Sequence, residues 1–295
     1  MYPAADVSAV TFQLAFAGTA GADAAAQPGQ GGSLPRQPGL AVILVGDNPA
    51  SAVYVRNKEK DCAQCGVRCL NHHLPAETTQ QELLALVEAM NRREDVDGIL
   101  VQLPLPEGLD SRAVLEAIRP EKDVDAFHPE NVGRLMLGLP RFLPCTPAGV
   151  MALLRAYGIS PAGKHCVVIG RSNIVGKPMA LLLLAEDATV TVCHTKTVDV
   201  AGIARKADIL VSAAGVLNSL TKDYVSENQI VIDVSINWDP EKVNSKGGKG
   251  AIAGDAVFSE VEPIVGAITP VPGGVGSVTT SVLIGHVVEA AERTL

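Results

Sequence analysis

Tyr54 and Lys58 are the first residues whose types and spacing could support chemistry. The segment 50–65 is predicted to be helical, and residues four apart share one face of a helix. A ring and an amine on that face could therefore meet the same ligand. A lysine in a partly desolvated cleft loses proton affinity, so it can act as a general base or proton donor near neutral pH. A solvent-facing lysine is the commoner alternative, and this spacing alone leaves it open.

One amide and two acids lie further along the chain. Gln102 lies in the predicted strand 98–103, where an otherwise apolar segment presents an amide just before a loop broken by prolines. Asp123 and Asp125 are two residues apart and precede another predicted loop. Amides and carboxylates can recognise flat heterocycles, and one of these acids could accept hydrogen bonds from an amino-pyrimidine.

Residues 170–176 form a glycine turn between an apolar run and a leucine-rich helix. A strand, a glycine turn and a helix start, in that order, are typical of a phosphate-binding loop, because free backbone N–H groups and the helix dipole face the ligand. The glycine spacing differs from the usual G-x-G-x-x-G pattern. An ordinary strand-to-helix turn therefore remains an alternative.

The second strand of this half favours NADP over NAD. Sheets that bind NAD usually end this strand with an acid for the ribose hydroxyls, about 20 residues after the glycine turn. Here Thr189–Cys193 is followed by His194, Thr195 and Lys196, without a carboxylate. These groups and Arg171 in the glycine turn suit a ribose 2′-phosphate. A simply solvated side chain is the alternative for Lys196.

Two further loops could contact a ligand. The fourth strand of this half is followed by a loop that contains Ile236, at the carboxyl end of the sheet, where ligands of such folds bind. The segment 269–276 carries two prolines and then three glycines. A backbone without side chains allows a ligand to approach closely.

A metal site is the alternative suggested by Cys62, Cys65, Cys69, His72 and His73, whose residue types suit zinc. Two of the cysteines lie on the helix that already carries the tyrosine and the lysine, and no second ligand pair with zinc-finger spacing follows. Buried or incidental thiols are therefore the favoured interpretation, and we predict no metal.

Strand-like and helix-like segments alternate, which predicts an α/β fold with parallel sheets. The predicted strands are 40–45, 98–103, 166–169, Thr189–Cys193, 208–213 and 229–234. The predicted helices are 50–65, 79–91, 146–157, Gly176–Ala185 and 277–292. Thr146 and Pro147 have the types expected for a helix cap and a first helical residue, so a helix should carry the chain between domains there.

We predict two domains with a cleft between them. An N-terminal α/β catalytic domain comprises residues 39–146 and 276–295, and a C-terminal Rossmann-like NADP-binding domain comprises residues 147–275. Residues 1–38 are rich in Ala, Gly, Gln and Pro and show no persistent periodicity. They are predicted to be poorly ordered or atypical.

Composition excludes several classes of partner. The formal charge of −8 is spread without a basic stripe and aromatic residues make up 3% of the chain, which argues against nucleic acid. No run of about 18 uncharged apolar residues occurs, so no membrane association is predicted. Six cysteines without regular spacing suit reduced thiols in the cytoplasm better than a disulfide framework. The segment 7–17 could imitate a secretion signal, but no basic residue precedes it.

Five blocks of this sequence, in order, resemble the methylenetetrahydrofolate dehydrogenase/cyclohydrolase family. They are Tyr54-Val55-x-x-Lys58, Val101-Gln102-Leu103-Pro104, Asp123-Val124-Asp125, Gly170-Arg171-Ser172 and Pro270-Val271-Pro272-Gly273-Gly274-Val275-Gly276. The resemblance implies a bifunctional enzyme, usually a homodimer, that uses NADP and no metal. Its expected reactions are oxidation of 5,10-methylenetetrahydrofolate to 5,10-methenyltetrahydrofolate and hydrolysis of that product to 10-formyltetrahydrofolate.

The resemblance also implies roles for individual residues. Lys58 is expected to be the catalytic lysine, with Gln102 positioning or tuning it, Tyr54 packing on the substrate and Asp125 anchoring the pterin. The expected cofactor contacts are Gly170, Arg171, Ser172, Thr195 and Ile236. The expected folate contacts are Tyr54, Val101, Gln102, Leu103, Asp125, Pro272, Gly273 and Gly274.

The sequence departs from the family pattern at a few positions near these blocks. Ala126 and Ser235 stand where glycine is common, and Ser277-Val278 replaces a Pro-Met pair. A dehydrogenase without cyclohydrolase activity and a folate- or nucleotide-binding module without turnover are the two alternative functions. Lys58 and Gln102 argue against the first alternative.

Overall fold

The computed structural model describes Leu34 and residues 36–47, 49–243 and 248–293, without the side chains of residues 49–54, 56, 57 and 249. The prediction for residues 1–38 lies outside the described residues at positions 1–33 and 35. The described chain forms two compact units. The first unit contains the residues up to Cys145 and those from Thr280 onward, and the second contains Thr146–Thr279.

A parallel sheet of three strands forms the centre of the first unit, with strand order β2-β1-β3. Its strands are β1 (Gly39–Val45), β2 (Arg68–Leu74) and β3 (Gly98–Val101). Its helices are α1 (Pro49–Gln64), α2 (Gln80–Arg92), α3 (Ser111–Ala117) and α4 (Pro129–Met136). The carboxyl-terminal helix α9 (Val275–Arg293) begins in the second unit and continues into the first.

The side chains of β1 explain why its sequence is apolar throughout. Leu40 and Val42 belong to one buried cluster, which also contains Val287 of α9. Ala41 and Ile43 point to the opposite face and belong to a second buried cluster. Because both faces of the strand are covered, the sequence shows a continuous apolar run instead of alternation.

The second unit contains a parallel sheet of five strands with the order β5-β4-β6-β7-β10. Its strands are β4 (His165–Ile169), β5 (Thr189–Cys193), β6 (Ile209–Ser212), β7 (Ile230–Asp233) and β10 (Ala267–Ile268). The antiparallel pair is β8 (Asn237–Val243) and β9 (Lys249–Ala253). The remaining helices are α5 (Cys145–Ala156), α6 (Gly176–Ala185), α7 (Val200–Ala204), α8 (Phe258–Val261) and the 3₁₀ turn Lys222–Tyr224.

The predicted α/β class with two domains is confirmed, with several corrections in detail. β2, α3, α4, the β8–β9 pair and β10 were not predicted, because they are short or carry many polar residues. The prediction that Thr146 caps a helix is wrong, since α5 already begins at Cys145. Pro147 still lies in the first turn, where backbone N–H groups need no helical acceptor. No described helix combines the length and the apolar character that a membrane crossing requires.

Candidate active site and nucleotide-binding loop

Lys58 and Gln102 are joined by a hydrogen bond in the first unit. Lys58 Nζ donates to Gln102 Oε1 over 2.9 Å. Lys58 lies in α1, and Gln102 directly follows β3, where its backbone N–H donates to Ile43 O over 2.8 Å. Gln102 Nε2 donates to Leu103 O over 2.9 Å. The amide is therefore held at both ends, with its oxygen facing the lysine.

The surroundings of Lys58 lower its affinity for a proton. Burial lowers the pKa of Lys58 because the ammonium ion loses hydration, while Asp125 opposes this shift by attracting the cation. The net direction is downward. Lys58 is therefore not a freely solvated surface lysine. An amine whose pKa has moved toward neutrality can accept or donate a proton in the working pH range of an enzyme.

The two acids at positions 123 and 125 have different surroundings. Asp123 is buried, and its carboxylate accepts hydrogen bonds from two backbone N–H groups and from Asn131 Nδ2. Asp125 is partly exposed and accepts a long hydrogen bond, 3.4 Å, from the backbone N–H of Cys145 at the start of α5. Asp123 holds its own loop together, whereas Asp125 retains acceptor capacity for a ligand.

Ala126 occupies a backbone position where glycine would be expected. Its φ is 58°, in the left-handed region that costs a residue with a side chain about 1–2 kcal/mol. Its methyl group is buried in the core cluster that contains Leu40 and Val42. The departure from the family pattern therefore keeps the left-handed turn and adds apolar contact beside Asp125.

The glycine turn of the second unit has the geometry of an anion-binding loop. A Cβ on Gly170 would lie 2.2 Å from Ala213 O, so only glycine fits between the ends of β4 and β6. Ser172 Oγ accepts from the backbone N–H groups of Val175 and Gly176 over 3.1 and 3.2 Å. Within the described residues, no protein acceptor binds the N–H groups of residues 171–174. These donors at the start of α6 suit a phosphate.

The strand order of the second unit places this loop where a dinucleotide would bind. Numbered from β4, the order is the 2-1-3-4-5 arrangement of doubly wound sheets, whose ligands bind where the strand order reverses. That point lies between β4 and β6, next to Gly170. Arg171 and Ser172 are exposed there, Thr195 is exposed after β5, and Ile236 is 42% exposed after β7.

The remaining predicted site residues lie in both units. Val101 is the buried last residue of β3, and Leu103 is partly exposed two residues later. Tyr54 lies in α1, four residues before Lys58, and its side chain is outside the described part. Pro272 and Gly273 are exposed and Gly274 is buried in the second unit. The structure thus brings Lys58, Gln102 and Asp125 together within one unit, whereas residues 272–274 belong to the other unit.

Asp255 is a residue of the second unit that the sequence analysis missed. It is completely buried, and its carboxylate accepts five hydrogen bonds from the end of β6, the segments that follow β6 and β7, and the start of β8. The donors are Ser212 Oγ, Ala214 N and Ser235 Oγ on Oδ2, and Val216 N and Asn237 Nδ2 on Oδ1. Asp255 therefore fixes two loops at the carboxyl end of the sheet.

The sequence signal for Asp255 is weak. It follows β9 in an antiparallel pair that was not predicted, and its position after Gly254 resembles an ordinary turn. Ser235, which stands where the family commonly has glycine, donates one of the five hydrogen bonds, so this departure adds a contact to the same carboxylate.

The geometry gives no support to the zinc alternative. Within the described residues, no group of three or more His, Cys, Asp or Glu side chains is arranged to hold a metal ion. Cys62 lies on α1, Cys65 lies in the turn that follows it and Cys69 lies on β2, and all three are free thiols.

A doubly wound parallel sheet with a glycine turn at its switch point defines a dinucleotide-binding α/β protein with an additional α/β unit. Two sequence profiles match this chain. They describe the catalytic domain of tetrahydrofolate dehydrogenase/cyclohydrolase over residues 19–125 and its NAD(P)-binding domain over residues 144–295. The chain belongs to the tetrahydrofolate dehydrogenase/cyclohydrolase family, and the resemblance inferred from the sequence is confirmed.

Individual relatives agree with this membership. The bifunctional protein FolD of Oleidesulfovibrio alaskensis is 56% identical over 262 residues, which is 88% of each chain. The Campylobacter jejuni FolD structure, a methylenetetrahydrofolate dehydrogenase/cyclohydrolase, is 51% identical with a TM-score of 0.80 and covers 88% of this chain and 89% of its own. The Trypanosoma brucei FolD structure, complexed with NADP and an inhibitor, is 42% identical with a TM-score of 0.83 and 88% coverage of both chains.

Proposed function

We propose that this chain oxidises 5,10-methylenetetrahydrofolate to 5,10-methenyltetrahydrofolate with NADP and hydrolyses the product to 10-formyltetrahydrofolate. The observation that carries the proposal is the hydrogen bond between Lys58 Nζ and Gln102 Oε1. The chain that contains this pair is 56% identical to a bifunctional protein FolD. A partly buried amine whose pKa is lowered by burial is the group that the hydrolytic step needs. The chain is thus an oxidoreductase and a hydrolase of one-carbon folate metabolism.

The residues of the first unit would bind the folate and manage protons. Asp125 would accept hydrogen bonds from the amino-pyrimidine of the pterin, and Tyr54 would pack on the ring. Gln102 holds Lys58 Nζ in place, so the amine would take a proton from water as that water adds to the methenyl carbon. Val101 and Leu103 would line the folate pocket, and Pro272, Gly273 and Gly274 of the second unit are the further folate contacts that the family resemblance implies.

The residues of the second unit fit NADP. Gly170, Arg171 and Ser172 would hold the phosphates with the free N–H groups of residues 171–174. Thr195 and the guanidinium of Arg171 would bind the 2′-phosphate, and Ile236 would contact the nicotinamide region. When bound, NADP supplies the hydride acceptor. The protein contributes alignment of the two reacting carbons, which needs no metal.

Cytoplasmic location and a homodimer are part of the same proposal. The described cysteines are free thiols, as suits a reducing compartment. The dimer is supported by the family resemblance alone. The predicted domains, residues 39–146 with 276–295 and residues 147–275, remain a proposal for where the two functions divide.

The decisive experiment supplies the purified chain with methylenetetrahydrofolate and either NADP or NAD. Reduced nicotinamide, methenyl product and formyl product are measured separately. We expect all three products, with a preference for NADP. Methenyl accumulation without enzymatic hydrolysis would instead indicate a monofunctional dehydrogenase, and binding of both ligands without nicotinamide reduction would indicate a binding module.

A further inference from the structure

Two thiols of the first unit, outside the proposed catalytic set, meet at one apolar cluster. Cys62 lies in the last turn of α1, and Cys69 lies in the edge strand β2. Cys62 is completely buried in a core cluster, and Cys69 packs against the same cluster from a partly exposed position. Cys69 Sγ also donates to Asn71 Oδ1 over 3.1 Å. The pair therefore combines one partly exposed thiol, Cys69, with one buried thiol, Cys62.

The two thiols differ in reactivity. A hydrogen bond from the Cys62 thiol lowers the pKa of Cys69, although burial opposes this shift. The same hydrogen bond, together with burial, raises the pKa of Cys62. Because the thiolate is the nucleophilic form, Cys69 is the sulfur that reacts first.

We propose that Cys69 and Cys62 form an oxidisable dithiol whose oxidant is a small hydroperoxide. The Cys69 thiolate attacks a peroxide oxygen, so that an S–O bond forms, the O–O bond breaks, and the leaving hydroxide or alkoxide takes a proton from water. Cys62 sulfur then attacks the sulfenic sulfur. An S–S bond forms, the S–O bond breaks, and the hydroxyl group leaves as water with the proton given up by the Cys62 thiol. The dithiol loses two electrons and two protons, and the peroxide is reduced.

The position of Cys62 connects this oxidation to the proposed active site. Cys62 lies four residues after Lys58, so the two side chains lie one turn apart on one face of α1. The two sulfurs must approach to roughly 2 Å to form a disulfide. That approach pulls the Lys58 turn of α1 toward β2. A small displacement of a catalytic group has a large effect on rate, so hydrolysis should fall on the order of tenfold.

Only this effect on rate rests on the proposed function, because disulfide formation depends on the thiols alone. Cys65 is the competing partner, since it is partly exposed in the turn after α1 and packs against the same cluster. Trypsin places Cys62 and Cys65 together on peptide 61–68 and Cys69 on peptide 69–92. Variants must therefore distinguish the two partners.

The test treats the reduced full chain with hydrogen peroxide, blocks the remaining thiols by alkylation, and maps linked tryptic peptides by mass spectrometry. We expect peptides 61–68 and 69–92 to be linked in the native chain and in the Cys65→Ser variant. The linkage should be lost in Cys62→Ala, which keeps an apolar side chain in the core, and in Cys69→Ser. Absence of the linkage from the native chain, or its survival in Cys62→Ala, would overturn the proposal.

The same samples are assayed for methenyltetrahydrofolate hydrolysis. Peroxide should lower the rate on the order of tenfold in the native chain, a thiol reductant should restore it, and Cys69→Ser should be insensitive. If the peptide map shows the disulfide but peroxide leaves the hydrolysis rate of the native chain unchanged, the proposed effect of the disulfide on Lys58 is wrong. If no untreated sample hydrolyses the substrate, the proposed function is wrong. The peptide map still shows whether Cys62 and Cys69 form a disulfide.

Discussion

Lys58 and Asp125 form the electrostatic pair on which the proposed hydrolysis depends. Burial lowers the pKa of Lys58 and Asp125 partly opposes that shift. Asp125→Asn removes the opposing charge, so the pKa of Lys58 should fall further. Because the neutral amine is the proton acceptor, the limb of the kcat–pH profile that reports its ionisation should move to lower pH.

The matched control for this pH dependence is Glu121→Gln, which removes an exposed carboxylate four residues earlier. The control should leave the profile unchanged. Both variants are measured in the hydrolysis of methenyltetrahydrofolate at saturating substrate, so that weaker folate binding does not enter. A shift of the Asp125→Asn profile to higher pH would show that Lys58 does not control that limb.

Arg171 is the residue expected to distinguish NADP from NAD. Within the described residues its guanidinium has no ion-pair partner and is exposed beside the free N–H groups of the glycine turn. Arg171→Gln should raise the KM for NADP about tenfold and leave the KM for NAD nearly unchanged, because only NADP carries the 2′-phosphate.

Lys177→Gln is the control for this selectivity, since Lys177 is an exposed cation of α6 that donates to Asn173 Oδ1. Steady-state kinetics with both cofactors give the comparison. Equal losses for NADP and NAD in Arg171→Gln would assign the guanidinium to the shared phosphates instead.

At the scale of elements, Asp255 is expected to hold the loops after β6 and β7 in place. Asp255→Asn replaces a carboxylate that accepts five hydrogen bonds with an amide whose NH₂ group would face donors. Buried donors without acceptors are costly, so the free energy of unfolding should fall by on the order of 3 kcal/mol. The KM for NADP should rise as well.

Asp187→Asn provides the control, because Asp187 is exposed in a left-handed turn that asparagine also tolerates. Denaturant unfolding and cofactor titration measure both variants. If Asp255→Asn unfolds like the native chain, the carboxylate does not organise these loops.

Some elements could be predicted from the sequence because one strong local signal determines each of them. Gly176–Ala185 and Thr189–Cys193 have the predicted bounds, since a glycine turn and a short apolar run mark them clearly. β2 could not be predicted, because Asn71, His72 and His73 suppress its apolar pattern and pairing with β1 supplies its stability. Asp255 was missed for a similar reason, since its five partners come from distant parts of the chain.

The candidate site, like the fold, could be predicted from the sequence only in part. Motif residues such as Lys58, Gln102 and Gly170 could be named from type and order, yet the hydrogen bond between the first two required the fold. Residue types alone also left open which of Asp123 and Asp125 keeps acceptor capacity for a ligand, although the family resemblance assigned that role to Asp125. The backbone and Asn131 contacts of Asp123 answer that question.

At the scale of the whole molecule, we expect cofactor binding to slow hydrogen exchange in the second unit and to leave the first unit nearly unchanged. The N–H groups of residues 171–174 have no described protein acceptor, so they should exchange hydrogen rapidly in the free protein. Saturating NADP should slow their exchange, because phosphate oxygens would accept these hydrogen bonds. Strand β1 of the first unit already has all its residues buried and should change little.

Hydrogen exchange followed by mass spectrometry compares the chain with and without NADP. NADP-dependent protection confined to the first unit would contradict a cofactor site built by the second unit. Protection over residues 171–174 would support it.

The measurement that most directly tests the central claim compares methenyltetrahydrofolate hydrolysis with NADP binding in Lys58→Met and in Lys60→Met, which removes an exposed lysine from the same helix. We predict that Lys58→Met lowers the rate of methenyltetrahydrofolate hydrolysis by about 10²–10⁴-fold while NADP binding persists, and that Lys60→Met behaves like the native chain. Hydrolysis at the native rate in Lys58→Met would contradict the account, because the amine held by Gln102 would then not be the group that moves the proton.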